Sequence, residues 1–154
     1  MTKKLLVIGN GGREHAICWK LSKSIKVKQI FALPGSPGIS QVSKTSCVED
    51  VKPNDFRAIV QFCKTNSIDL VVVGPEEPLA NGLADVLHDA NILCFGPCRA
   101  GAAIEASKDW AKSFMVRHGI PTAKYRSFTN SNEAKAFIKK KYESRVSNKA
   151  CSLT

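Results

Sequence analysis

A glycine-rich turn near the start of the chain has the composition of an anion-binding site. The apolar run at residues 3–8 has the length of a strand, and the sequence Gly-Asn-Gly-Gly separates it from a helix-like segment. Such a turn leaves backbone N–H groups without partners at the positive end of a helix, where they can bind a phosphate. The arginine that follows can add its guanidinium as a second donor. The residues predicted to form this site are Gly9, Asn10, Gly11, Gly12, Arg13, Glu14 and His15.

Within this turn, the amides of Gly11, Gly12 and Arg13 are the predicted phosphate donors. His15 lies one turn into the helix, where its imidazole can donate to the anion or to a ring oxygen. Two alternatives remain open from the sequence alone. The glycines can serve only a tight structural turn, and His15 can pack beneath it.

A second polar loop follows the apolar run at residues 69–73. Its sequence, Gly74-Pro75-Glu76-Glu77-Pro78, holds two carboxylates between two prolines that stiffen the backbone. A carboxylate at the end of a strand can accept hydrogen bonds from both hydroxyls of a ribose. We expect Gly74, Pro75 and Glu76 to belong to the site and Glu77 to face solvent. A solvated acidic loop is the alternative interpretation.

One lysine further along the chain is a candidate for binding a nucleotide phosphate. Lys108 lies in the first turn of a helix predicted at residues 108–118, with Ser107 as its N-cap. From that position its ammonium group could reach a phosphate. The alternative is an ordinary lysine on an exposed helix face.

These candidates lie on a predicted α/β fold. Strand-like runs at residues 3–8, 27–33, 69–73 and 92–95, with a short strand near 46–48, alternate with helix-like segments. The alternation predicts a Rossmann-like open parallel sheet with helices on both faces and ligands at the carboxyl ends of the strands. The Gly9 and Gly74 turns both follow predicted strands, so we expect them at that edge of the sheet.

The pattern becomes helical after residue 97. Before this point, one helix is predicted after the cap Asn54 or Asp55, with Phe56, Ile59, Val60 and Cys63 on its apolar face, and another at residues 80–90. After it, helices are predicted at 99–105 and 108–118. Gly119-Ile120-Pro121 ends the last of these. A short strand is predicted at 125–128, and a final helix runs from the cap Asn130 to about Lys140.

These elements suggest three segments. Residues 1–103 are the predicted Rossmann-like domain, residues 104–138 the helical start of a second domain, and residues 139–154 a basic tail. The tail holds five basic residues against one acidic residue and few large apolar ones, which predicts disorder.

Composition and charge narrow the function classes. No apolar run approaches the roughly 20 residues of a membrane span, and no signal-type region follows the N-terminus, so we expect a cytoplasmic protein without a membrane partner. The formal net charge is +10, but no basic stripe interleaved with aromatic residues occurs, so nucleic acid is not an expected partner. The six cysteines form no CxxC pair, and no metal site is predicted.

A nicotinamide cofactor is also disfavoured, although the first turn resembles a dinucleotide fingerprint. Glu14 stands where the third glycine of the fingerprint should allow close packing of helix on strand. The second strand ends in Phe31-Ala32-Leu33-Pro34, without the acidic residue that would hold an adenosine ribose.

Four segments taken together resemble the phosphoribosylamine–glycine ligases, a family of ATP-grasp enzymes. The similarity runs in order from about residue 3 to residue 138. The amino-acid sequences of the segments look most like those of the animal members, where this enzyme is the first module of a trifunctional purine-biosynthesis protein. The fold that the resemblance implies is a Rossmann-like, pre-ATP-grasp domain followed by the start of an ATP-grasp domain. The four segments are Gly9–Ala16, Val71–Leu79, Cys94–Pro97 and Ser107–Ala123.

The resemblance implies a ligase of de novo purine biosynthesis. Such enzymes use ATP with Mg²⁺ to activate glycine, and the amine of 5-phosphoribosylamine attacks the acyl phosphate to give glycinamide ribonucleotide. On this resemblance, Gly11, Gly12 and Arg13 bind the substrate phosphate and Glu76 binds the ribose hydroxyls. Lys108 corresponds to a lysine near the ATP phosphates.

The chain departs from the family pattern after Ile138. A strand, a second lysine and a glycine-rich loop are expected there, and a lysine-rich and serine-rich sequence stands in their place. We therefore expect most of the ATP pocket and the metal-binding carboxylates to be missing and this chain to be inactive alone. A non-catalytic module that binds phosphoribosyl compounds, or regulates a partner, is the alternative.

Overall fold

Five parallel strands form the central sheet, in the order β3-β2-β1-β4-β5. The structure is a computed structural model that describes the backbone of residues 2–150 and the side chains of residues 2–141. The all-parallel order confirms the predicted Rossmann-like sheet. The strands are β1 (Lys3–Gly9), β2 (Val27–Pro34), β3 (Thr45–Cys47), β4 (Leu70–Val73) and β5 (Cys94–Phe95).

Helices cover both faces of this sheet, as predicted. Alternate residues of β1 point to opposite faces, because successive side chains of a strand alternate. Leu6 and Ile8 pack in one buried cluster, and Leu5 and Val7 pack in another. The helices are α1 (Gly12–Ser22), α2 (Pro37–Ser40), α3 (Phe56–Asn66), α4 (Glu76–Ala80), α5 (Leu83–Asp89), α6 (Arg99–Ala106), α7 (Lys108–Arg117) and α8 (Ser131–Ala150).

Each buried cluster contains side chains from different helices. Leu6 and Ile8 lie with Ile59 of α3 and with Leu83 and Leu87 of α5. The residues on the other face of β1 lie with Cys18 of α1 and Ile39 of α2. The sheet is thus buried on both sides at its centre, as an all-parallel sheet requires.

The two edge strands are short and partly exposed. β3 has three residues and β5 has two. On the β5 side, Leu93 and Phe95 are 71% and 72% exposed. The longer and more deeply buried strands therefore lie in the middle of the sheet.

The chain divides into two compact units, the first ending at Ala111 and the second beginning at Lys112. In the second unit, Lys112 Nζ donates to Thr122 Oγ1 at 2.6 Å. The rings of Phe128 and Phe137 lie 5.3 Å apart, and the Arg126 guanidinium lies over the Phe137 ring at 4.9 Å. These contacts join α7 and α8 to the intervening extended chain.

Capping residues set the helix ends much as predicted. Asp55, Ser107 and Asn130 each accept a hydrogen bond from a backbone N–H two or three residues later. Gly119 follows α7 with φ of 65°, and the N–H of Ile120 bonds back to the Met115 carbonyl at 2.8 Å. This is the left-handed glycine stop that ends many helices.

Three predictions about elements differ from the structure. The helix predicted at 80–90 is two helices, α4 and α5, because Gly82 turns the chain between them with φ of 95°. The strand predicted at 125–128 has no secondary structure, since among the described residues no strand lies beside it to form a ladder.

The last helix is also longer than predicted. It continues to Ala150 rather than ending near Lys140, so the prediction of a disordered tail is wrong for residues 141–150. The segment contains neither glycine nor proline, so nothing in it interrupts helical hydrogen bonding. Residues 151–154 of the predicted tail lie outside the described residues.

Ser67 ends α3 in a conformation that favours glycine, with φ of 54°. Its N–H bonds to the Lys64 carbonyl at 3.3 Å, and the next N–H, of Ile68, bonds to the Cys63 carbonyl at 2.9 Å. This is the same hydrogen-bonding pattern as at Gly119, but with a residue whose Cβ is unfavourable there.

Ser67→Gly should therefore raise the free energy of unfolding by up to about 1 kcal/mol, because glycine adopts this backbone without strain. Urea unfolding followed by circular dichroism measures the change. Lys64→Gly, inside the same helix, is the matched control and should lower stability by about 0.5–1 kcal/mol. A loss of stability in both variants would contradict the interpretation of the turn.

Candidate functional site

The candidate site lies where the strand order reverses. The chain runs from β1 outward to β2 and β3, then returns to the other side of β1 to form β4 and β5. In open α/β sheets, the crevice at the carboxyl ends of such neighbouring strands is the usual place for a ligand. The Gly9 turn follows β1 and the Gly74 turn follows β4, and the two strands are hydrogen-bonded neighbours. The structure thus brings the two predicted loops together.

Glu14 fills the space between these two turns. Its side chain is buried, with 4% of the residue exposed. A Cβ placed on Gly9 would lie 2.5 Å from Glu14 Cγ, and a Cβ on Gly74 would overlap the Glu14 carboxylate. Gly9 also has φ of 128°, which side-chain-bearing residues rarely adopt. The two turns therefore need glycine because a carboxylate occupies the place of their side chains.

Both carboxylate oxygens of Glu14 have partners. Oε2 accepts the N–H of Gly11 at 2.8 Å, and Oε1 accepts Arg13 Nε at 2.9 Å. Gly11 is the N-cap of α1, and Glu14 is three residues later, where a capping glutamate reaches back to the cap. This role was missed by the sequence analysis, although the glycine-to-glutamate spacing at a predicted helix start is a signal for it.

Burial and hydrogen bonding act in opposite directions on the pKa of Glu14. Burial of the carboxylate raises the pKa, but the hydrogen bonds from Arg13 and Gly11 and the Arg13 charge outweigh burial and hold the pKa below its usual value. Glu14 is therefore ionised at neutral pH.

Arg13 extends from this buried contact toward solvent. Its side chain is 56% exposed, and Nη2 lies 3.7 Å from Glu76 Oε2. The hydrogen bond to Glu14 raises the pKa of the guanidinium above its already high value, with smaller contributions from the nearby charges of Glu76 and Glu105. Arg13 thus joins the Gly9 turn to the loop after β4.

The N-terminus of α1 leaves two of the three predicted amides directed outward. The N–H of Gly11 donates to Glu14 and is not free for an anion. Gly12 and Arg13 precede His15, whose N–H makes the first helical bond to the Gly11 carbonyl at 3.0 Å. Their own N–H groups therefore point out of the helix end.

The loop after β4 begins a helix directly. Pro75 is the N-cap of α4, and Glu76 is its first residue. The Glu76 side chain is 52% exposed and faces Arg13. Glu77 is also exposed and borders a separate groove with Lys52 and Asn81.

The remaining candidate residues are Asn10, His15 and Lys108. Asn10 is exposed in the turn, and the exposed His15 ring lies against α2, 3.3 Å from where a Cβ on Gly38 would stand. Lys108 is exposed at the start of α7, and in residues 2–141 no hydrogen bond or ion pair joins it to the Gly9 turn. The predicted site residues of α1 and α4 are brought together, and Lys108 is not joined to them.

The described residues also bear on metals, thiols and membranes. No group of three or more His, Cys, Asp or Glu side chains in residues 2–141 could hold a metal ion. Cys18 and Cys63 are buried free thiols, and burial raises the pKa of each to about 11. None of the described helices has the length and apolar character needed to cross a membrane.

Comparison with known proteins gives two family matches. Residues 3–105 match the phosphoribosylglycinamide synthetase N domain, and residues 106–154 match the ATP-grasp (A) domain of the same synthetase. The Gly9 turn and the loop after β4 both lie in the first match.

Individual relatives agree with these matches. The chain is 62% identical over 141 residues to the trifunctional purine biosynthetic protein adenosine-3 of Drosophila pseudoobscura pseudoobscura, covering 90% of this chain and 10% of that protein. It is 46% identical to the phosphoribosylamine–glycine ligase of Rhizobium meliloti, covering 88% of this chain and 31% of the relative. The chain thus spans about a tenth to a third of the length of these curated relatives.

Solved structures show the same fold. The phosphoribosylamine–glycine ligase of Thermotoga maritima has a TM-score of 0.59 at 25% identity, over 89% of this chain and 30% of that one. The biotin carboxylase domain of a single-chain bacterial carboxylase has a TM-score of 0.64 at 17% identity, over 91% of this chain and 34% of the other. The second similarity concerns the fold alone.

The contact between Glu14 and Gly74 predicts a large steric effect. Gly74→Ala should lower the free energy of unfolding by about 1–3 kcal/mol, because the new methyl group meets the buried carboxylate. Gly12→Ala is the matched control, since nothing lies within 4 Å of a Cβ at that position. It should change stability by less than about 0.5 kcal/mol. Equal losses in the two variants, measured by urea unfolding, would be inconsistent with this packing.

The lowered pKa of Glu14 predicts an acid dependence of stability. A carboxylate whose pKa is lower in the folded chain stabilises it above the unfolded pKa, and this contribution is lost as pH falls through the folded value. Between pH 6 and pH 3 the wild-type chain should therefore lose more stability than Glu14→Gln. Urea unfolding at the two pH values measures the difference. Glu49→Gln, which removes an exposed carboxylate, is the matched control.

Proposed function

The chain belongs to the phosphoribosylglycinamide synthetase family, and from this membership we propose that the residues at the carboxyl ends of β1 and β4 bind the phosphoribosyl group of 5-phosphoribosylamine. The observation that carries the proposal is the opposition of Arg13 and Glu76 across the switch point, at 3.7 Å. A phosphate needs a cationic donor and a ribose needs an acceptor for its hydroxyls. These two side chains supply both from the first turns of α1 and α4.

The phosphate is proposed to bind at the N-terminus of α1. The N–H groups of Gly12 and Arg13 point out of this helix end, where the helix dipole favours an anion. The guanidinium of Arg13 adds a charged donor with paired N–H groups that match two phosphate oxygens. Gly9 and Gly11 shape the turn and Asn10 borders it.

The ribose is proposed to bind at Glu76. An ionised carboxylate offers acceptors for two neighbouring hydroxyls. The ion pair between Arg13 and Glu76 is long and both side chains are about half exposed, so it contributes little and is easily exchanged. A ligand can therefore separate the pair, its phosphate taking Arg13 and its hydroxyls taking Glu76.

Ligation itself is proposed for the whole enzyme rather than for the described residues. The proposed reaction joins glycine to the amine of phosphoribosylamine with ATP as the phosphoryl donor, which activates the glycine carboxylate. Lys108, at the start of the ATP-grasp match, is proposed to lie near the ATP phosphates. In residues 2–141, no group of three or more His, Cys, Asp or Glu side chains could hold Mg²⁺.

The proposed partners are small molecules, namely phosphoribosylamine, glycine and ATP, rather than nucleic acid or membranes. The cytoplasm is the proposed location, where such metabolites are found. A non-catalytic module that binds phosphoribosyl compounds is a second candidate.

Titration of ribose 5-phosphate into the 154-residue chain by calorimetry tests the proposed site. We expect saturable binding, with free ribose much weaker because it lacks the anion. Arg13→Gln should reduce the affinity by at least about tenfold, since it removes a charged hydrogen-bond donor.

Arg117→Gln is the control for Arg13→Gln, because it removes an exposed arginine from the end of α7. Its affinity should equal that of the wild type. Absence of binding by the wild-type chain would overturn the proposed phosphoribosyl site.

A coupled assay for ADP release separates the two candidate functions. With glycine, ATP and freshly generated phosphoribosylamine, the purified 154-residue chain should give no turnover above background. Binding of ribose 5-phosphate without turnover would match a binding module. Clear catalysis would show that this chain carries a complete ligase.

A further inference from the structure

Glu14 is the buried acidic side chain at the centre of the candidate site, and in residues 2–141 it is the only acidic residue that is buried. We propose that Glu14 is a positioning residue, which orients the Arg13 guanidinium toward the phosphate and fixes the two strand-end turns against each other. The proposal rests on the proposed phosphoribosyl site. It assigns Glu14 no direct contact with the ligand.

The hydrogen bonds of Glu14 show why it does not face a ligand. One carboxylate oxygen accepts the Gly11 N–H at 2.8 Å and the other accepts Arg13 Nε at 2.9 Å. With both oxygens used and the side chain buried beneath the turn, no acceptor is directed outward.

The same hydrogen bonds determine where the guanidinium points. A guanidinium is planar, so a bond to Nε fixes the plane and places the two Nη groups at the other end. That end reaches the edge of the site, where Nη2 lies 3.7 Å from Glu76 Oε2. The orientation is set before a ligand arrives, which lowers the cost of ordering a half-exposed side chain on binding.

The packing of Glu14 explains how it fixes the two strand-end turns against each other. Its side chain lies against both Gly9, at the end of β1, and Gly74, at the end of β4. A shift of either turn would change the space that the carboxylate fills. Glu14 therefore fixes the separation of the turns that carry Arg13 and Glu76.

Charge and positioning predict opposite effects of removing Glu14 on phosphate binding. A negative charge beneath an anion site repels the anion, so Glu14→Gln would tighten phosphate binding if only charge mattered. Positioning predicts weaker binding, because a carboxamide carries N–H donors where Gly11 or Arg13 also presents a donor. The sign of the change thus distinguishes the two explanations.

The main test measures ribose 5-phosphate binding to the full 154-residue chain by calorimetry. Glu14→Gln should weaken binding by about tenfold, while thermal unfolding remains cooperative. Glu105→Gln is the matched control, because Glu105 lies near Arg13 and acts through its charge. It should leave binding unchanged or slightly tighter. Unchanged or tighter binding by Glu14→Gln would overturn the proposal.

A double-mutant cycle separates positioning from a general loss of structure. If Glu14 acts through Arg13, the combined Glu14→Gln and Arg13→Gln variant should bind about as weakly as Arg13→Gln alone. Losses that multiply would show that the two residues act independently and would refute the orientation of Arg13 by Glu14.

A measurement without ligand tests the orientation of Arg13 independently of the proposed binding function. In ¹⁵N-labelled protein, the Arg13 Nε–H signal should be protected from exchange in the wild type and should broaden or vanish in Glu14→Gln. If the wild type does not bind ribose 5-phosphate, the proposed function fails, but this signal still tests the orientation. An unprotected Arg13 signal in the wild type would overturn the proposal.

Arg13→Lys covers the case in which Glu14→Gln does not fold. The Arg13 side chain is exposed, so the substitution should be tolerated. Lysine keeps the positive charge, but it has no Nε–H that could bond to Glu14 while other donors point outward. It should bind ribose 5-phosphate within about threefold of Arg13→Gln, a difference of under 1 kcal/mol. Wild-type affinity in Arg13→Lys would argue against the orienting bond.

Discussion

The contact of the Glu14 carboxylate with two glycine turns sets the geometry of the strand ends. The carboxylate is buried, both oxygens are hydrogen-bonded, and side chains at Gly9 and Gly74 would overlap it. A buried carboxylate without partners costs several kcal/mol, so its surroundings must be held in place. The spacing of glycines and glutamate in the first turn follows from this requirement. The buried carboxylate thus determines where α1 starts, how Arg13 is oriented and how α4 approaches the first turn.

The sheet order makes this contact possible. β1 lies between β2 and β4, because the chain runs outward to β2 and β3 and then returns to the other side of β1. The turn after β1 therefore meets the turn after β4, although more than 60 residues separate them in sequence. The buried clusters on the two faces hold β1 in this central place. A cationic and an anionic side chain, Arg13 and Glu76, then lie opposite each other at the opening of the proposed phosphoribosyl site.

The fold and the meeting of the two candidate loops could be predicted from the sequence because they depend on local patterns. Alternating apolar runs and helical segments indicate a parallel sheet, and the glycines and carboxylates at strand ends indicate where a ligand binds. The packing of Glu14 between the two turns could not be predicted in the same way. It depends on Gly74, a neighbour only through the pairing of β1 with β4. Similarly, residues 125–128 have strand-like composition, but a strand also needs a neighbour, which composition cannot supply.

The short edge strands have a consequence for how the sheet ends. An exposed edge is a template for another chain, and each residue of the edge offers backbone groups for pairing. Here the outer strands β3 and β5 contribute only three and two residues, while the longer strands are enclosed between neighbours. A second molecule adding a strand at either side would gain few backbone hydrogen bonds. The sheet thus limits its own growth into larger β-aggregates, even though Phe95 and Leu93 leave apolar surface at one edge.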